Sequence, residues 1–118
     1  MDRAVNKQNP PLGIAKRTHQ LIWASIEERH RIRFFYDGKE RVTEPHDYGI
    51  QNGRVRLLVY QFAGRSNSGR LPAWRLVDIA GMTEIEVLET TFRGYRPPPS
   101  GQHHKWDQIF IGVGEVKN

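Results

Sequence analysis

The chain has 118 residues, no cysteine, and 18 Lys and Arg against 13 Asp and Glu, a formal net charge of +5 with a sequence pI of about 9.9. That length fits one domain with a modest core, the lack of thiols excludes disulfide scaffolds and thiolate metal sites, and no apolar run approaches the ~18 residues of a membrane span. Most of the basic residues are arginines, whose planar fork suits phosphate and carboxylate, so an anionic partner is favoured over a membrane; a solvated basic surface is the plainer alternative.

Residues 1–13 are polar, carry Pro10-Pro11 and lack the apolar segment of a secretory leader. They read as a mobile lead-in to a soluble, cytoplasmic protein. Over residues 15–30 the pattern turns helical. Leu21, Ile22 and Ile26, with Trp23 beside them, make an apolar stripe, and Glu27, Glu28, Arg29 and His30 form a polar end. Thr18 is the candidate N-cap, without a capping-box acid after it. Such a helix is expected to cover one side of a sheet.

Residues 31–36 then alternate and are rich in aromatics, which predicts a strand with Ile32, Phe34 and Tyr36 on one face and Arg31, Arg33 and Phe35 on the other. Asp37-Gly38 predicts a type I′ hairpin. The returning strand spans 39–44, and Pro45 is expected to end its ladder or set it at an edge, leaving 46–49 as a turn-like piece. Asn52-Gly53 marks a second hairpin. In the strand that follows, Val55, Leu57 and Val59 share an apolar face, while Arg56 and Tyr60 lie on the other.

Residues 63–70 form a Gly/Ser/Asn-rich exposed loop, and the next strand, 73–77, sets Arg75 beside Trp74. A short strand at 85–88 precedes a stiff connector, 92–100, with Pro97-Pro98-Pro99. The tail 106–116 carries Ile109, Phe110, Ile111 and Val113. It is too apolar for water, so it should dock on its own domain or on another chain. One helix and about five short strands joined by tight hairpins, with no internal repeat, predict a mainly β fold: a small, strongly bent antiparallel sheet or barrel preceded by an α-helix. The expected organisation is a lead-in, 1–13, a folded domain, 14–95, and a Pro-rich connector with an apolar tail, 96–118.

Three stretches, IEERHRIRFFYDGKERVTEPHDYGIQNGR at 26–54, RVRLLVYQ at 54–61 and WRLVDI at 74–79, resemble in order and spacing the WYL domain family. The family's Trp-Tyr-Leu reads Val55-Arg56-Leu57, and the Asp that usually follows Arg-Leu is displaced to Asp78. The resemblance implies an SH3- or Sm-like β-barrel with an N-terminal helix. Such domains usually follow a winged helix-turn-helix in bacterial transcription regulators and bind nucleic acid or other negatively charged ligands. It places the ligand at His46, Arg54, Arg56 and Arg75, with Tyr48. Residues 1–30 supply one helix at most, so direct promoter recognition of the usual kind is not expected, and a DNA-binding protein is a candidate partner.

Read from the residues themselves, Arg56 and Arg75 come from neighbouring strands and are expected to converge on one phosphate. His46 can add a donor when protonated, and Tyr48, Tyr60 and Trp74 could stack bases of a single strand. Against this stands ordinary pairing of the arginines with Glu40, Glu44 or Asp78, and ordinary core or rim packing of the aromatics. His103-His104 point apart on an extended chain with no third ligand nearby, so neither metal nor cofactor is expected. No Ser-His-Asp set, phosphate-cradling loop or HExxH occurs, so the chain is not expected to be an enzyme. The leading function is a regulatory module for an anionic ligand or single-stranded nucleic acid. The second is a homo-oligomer or protein-interaction module held by Ile109-Phe110-Ile111. An enzyme acting on a phosphorylated small molecule comes last, for want of a general base near the arginines.

Overall fold

The computed structural model describes residues 4–64, 70–96 and 105–114. Helix α1 (Lys16–Glu28) precedes six strands: β1 (His30–Tyr36), β2 (Lys39–Gln51), β3 (Arg54–Gly64), β4 (Ala73–Asp78), β5 (Thr83–Thr91) and β6 (Gln108–Gly112). They form one sheet in the order β4-β3-β2-β1-β5, with β6 paired to β2. All pairings are antiparallel. Both expected hairpins are present. Asp37 and Gly38 have φ of 53° and 71°, and Asn52 and Gly53 have 51° and 75°, the positive values at both central positions that a type I′ turn requires.

β2 organises the sheet. Its first half pairs with β1 through Lys39 to Thr43, its second half with β6 through Asp47 to Ile50, and β3 lies along its other edge throughout. The expectation that Pro45 would end this strand is corrected. Pro45 sits opposite Val59, and the pairing resumes at Asp47 opposite Leu58, with His46 bulged between them. A bulge absorbs the missing N–H, bends the strand and lets it change partner. The apolar tail docks on its own domain: Val113 N–H donates to the His46 carbonyl at 2.9 Å, and Asp107 N–H to that of Ile50 at 2.8 Å.

The core lies between α1 and the concave face of the bent sheet. Ile22 and Ile26 of α1 meet Ile32, Phe34, Tyr48, Leu57, Val59 and Val77. Each such side chain removed from water contributes about 1.5–3 kcal/mol before entropy is counted. The helix begins at Ala15, which makes no side-chain cap, so Thr18 lies one turn inside. Tyr36 ties β1 to the end of the edge strand β4. Its hydroxyl accepts from the Asp78 N–H at 3.2 Å, and a Cβ at Gly81, beyond β4, would clash with its ring. Among the described residues no helix is long and apolar enough to cross a membrane.

Candidate anion-binding site

The register separates the two arginines expected to converge. Arg56 sits opposite Asp78 and Arg75 opposite Val59. Because facing residues share a face and successive residues alternate, Arg75 lies on the core side of the sheet and Arg56 on the other. Arg56 Nε reaches Asp78 Oδ1 at 2.8 Å, and Arg54 NH1 reaches Asp78 Oδ2 at 2.9 Å. A further Arg56 nitrogen donates to Gln51 Oε1 at 2.8 Å. One carboxylate thus takes both guanidiniums, the ordinary pairing that the sequence left open.

His46 and Tyr48 are both enclosed. Tyr48 is fully buried, its hydroxyl 2.8 Å from His19 Nδ1, while His19 Nε2 lies 2.7 Å from the Asn6 carbonyl. That carbonyl can only accept, so Nε2 carries the proton, and in a neutral ring Nδ1 accepts from Tyr48. The pair fastens residue 6 to the core. Burial pushes the Tyr48 hydroxyl far above its ordinary pKa, so it remains protonated. The bulged His46 stacks on Phe92, with ring centres 5.6 Å apart, and meets Trp74 edge-on at 4.8 Å. Its Nδ1–H donates to the Glu44 carbonyl at 2.9 Å. Burial holds its pKa below the ordinary value, against the opposing pull of the Glu44 backbone and carboxylate.

Beside it, Glu44 is 1 % exposed and gripped by two guanidiniums, Arg96 at 2.6 Å and Arg31 at 3.1 Å. Burial alone would raise its carboxyl; the bonds from Arg96 and Arg31 outweigh that and hold it below the ordinary range. Arg96 also lies 4.4 Å over the Tyr60 ring and Arg31 4.6 Å over Phe62. Tyr60 and Trp74 are edge-on neighbours at 5.3 Å. The outer face is therefore an Arg-aromatic cluster, with two guanidiniums on the one Glu44 carboxylate, in which Phe92 and Arg96 pack back onto the sheet.

The guanidinium that stands apart is Arg41, which the sequence reading passed over. It is 5 % exposed, on the core side with Thr43, and no carboxylate lies within ion-pair distance of it among the described residues. Its NH1 donates to Gln61 Oε1 at 3.2 Å and its NH2 to the Tyr36 carbonyl at 3.4 Å. Nε has no partner among the described residues, and the Tyr36 ring lies 5.6 Å away. Burial lowers its pKa, and the nearby positive charge of Arg75 lowers it further; Asp37 opposes from the hairpin. Arg75 is a diagonal neighbour of Gln61, since Gln61 faces Ala73. Arg41, Gln61 and Arg75 thus gather where β2 begins and β3 ends. An alternation count could have found Arg41, two residues before buried Thr43, but Thr43 read as polar gave no inward signal.

Among the described residues no group of three His, Asp or Glu is placed to hold a metal. His103 and His104, the connector at 97–100 and the loop residues 65–69 lie outside the described residues.

No family model matches the chain, and no curated protein matches it. Among solved structures it is similar in fold to proteasome accessory factor B/C (PafBC) of Arthrobacter aurescens, with a TM-score of 0.55 and 23% sequence identity. The likeness covers 86% of this chain and 16% of that one, so the chain spans about a sixth of the protein whose fold it shares.

Proposed function

We propose that this chain is a WYL-type regulatory module, non-enzymatic and acting in bacterial transcription, that binds nucleic acid or another phosphate-bearing ligand. The observation carrying this reading is Arg41, a guanidinium almost wholly removed from water, hydrogen-bonded among the described residues to neutral oxygens and close to a second guanidinium. Burying a charge without an opposite one is costly, and an incoming anion removes that cost. The likeness in fold to PafBC and the sequence resemblance both agree with such a module. The ligand site moves accordingly, keeping Arg75, adding Arg41 and Gln61, and leaving Arg54, Arg56, His46 and Tyr48 as structural supports.

The test is fluorescence anisotropy of a single-stranded oligonucleotide labelled at its 3′ end, at several salt concentrations. Wild type is compared with Arg41→Gln and with the Arg54→Ala/Arg56→Ala double variant. Binding should weaken with salt, fall at least about tenfold in Arg41→Gln, and stay within about twofold of wild type in the double variant. Equal binding by Arg41→Gln and wild type would place the contact elsewhere.

A further inference from the structure

Resting on that reading, we infer that the Arg41 site takes a phosphate monoester, a terminal phosphate, in preference to the phosphodiesters along a strand.

The burial of Arg41 argues for an end group. At 5 % exposure, its guanidinium is reached only by something that enters the core side of the sheet. A diester would have to bring two covalent continuations with it, a monoester only one. The flanking positions are small: Gly64 faces Arg41 across the β2–β3 ladder, and Ala73 faces Gln61 across the β3–β4 ladder. Gly64 is held to glycine, since its φ is 95° and a Cβ there would run into the Glu40 carbonyl.

Charge points the same way. The positive charges of Arg41 and Arg75 bear on each other, so an entering anion interacts with both. A monoester carries about −1.5 to −2 at neutral pH, with three terminal oxygens as acceptors, and a diester carries one charge. Planar guanidiniums bind terminal phosphate oxygens in parallel pairs. On Arg41 the unpartnered Nε and the long 3.4 Å bond from NH2 to a carbonyl are donors with something to gain. Lys39 shares this face of β2 by alternation, two residues before Arg41.

Two sources carry this chemistry, the 5′-phosphorylated end of a single strand and a free nucleoside monophosphate. The experiment therefore uses four probes on the intact wild-type chain: one 3′-labelled oligonucleotide with a 5′-phosphate, the same with a 5′-hydroxyl, adenosine monophosphate and adenosine. The phosphorylated end should bind at least about tenfold tighter than the hydroxyl end. The salt slope of that increment should be near −1, as expected for one or two neutralised charges on a single strand. Adenosine monophosphate should compete and adenosine should not. Competition at similar concentrations by mononucleotide and phosphorylated strand assigns a free metabolite as sufficient; much weaker competition assigns the strand end. Arg41→Lys, which keeps the charge and loses the fork, should erase most of the increment while leaving the helical circular dichroism unchanged. If both oligonucleotides bind equally and Arg41→Gln weakens both, the monoester inference fails and the anion-binding reading stands. If none of the three phosphate-bearing probes binds at low salt, both fail. The first three measurements need no variant, so misfolding cannot obscure the outcome.

Discussion

Arg56 and Arg41 look alike in the sequence, yet their surroundings assign them opposite work. Arg56 reaches Asp78 and Gln51; Arg56→Ala should cost about 1 kcal/mol in denaturant unfolding and leave anion binding intact. His46 makes stability depend on mild acid. Its folded-state pKa lies below its ordinary 6.5, so its contribution is complete above pH 6.5 and is lost as the pH falls from there towards the folded value, where the unfolded chain holds more protons. His46→Phe should flatten that part of a stability–pH curve. Glu44 acts lower down: with its folded pKa below 4.5, its contribution is present above that pH and disappears as the pH falls through the depressed value. Glu44→Gln should abolish this acid limb, measured as midpoint against pH. The arginines on the outer face were visible in the sequence as basic residues among aromatics. Which carboxylate each would meet was not, because Glu44 collects Arg31 and Arg96 from 13 and 52 residues away.

At the scale of elements, local chemistry told most of the story. Two Asx-Gly pairs fixed both hairpins, and the apolar stripe of 21–26 fixed the helix. The continuation of β2 through Pro45 was not legible, because a bulge depends on what lies across the ladder, here Val59 and Leu58. The same break parts β1 from β6 along β2, so β6 depends on a close backbone approach that no local pattern announces. A Cβ on Gly49 would collide with the Gln108 carbonyl. Gly49→Ala should therefore detach β6, and amide hydrogen exchange at Gln108 to Gly112 should rise while that of β1 and β3 changes little. Tyr48 would lose its edge-on partner Phe110, now 5.2 Å away. Unchanged protection of β6 would mean the backbone shifts to admit the methyl group.

For the whole molecule, the bent sheet divides charge between its two faces. Outside, arginines pair with Glu40, Glu44, Glu86 and Asp78. Inside, at one end, Arg41 is buried near Arg75 with neutral hydrogen-bond partners. Composition shows an excess of arginine, which makes an anionic partner the expectation. It could not say that Arg56 would face a carboxylate and Arg75 an apolar position across the ladder, because that follows from register: Asp78 opposite Arg56 and Val59 opposite Arg75. The most direct test is therefore made on Arg41 itself. Arginine side-chain Nε–H resonances are followed by ¹H–¹⁵N spectroscopy of the wild-type protein as adenosine monophosphate is added. The Arg41 and Arg75 signals should move together and saturate, with those of Arg54 and Arg56 stationary. Saturable movement of Arg54 and Arg56 with Arg41 unmoved would contradict the account and return the ligand to the outer face.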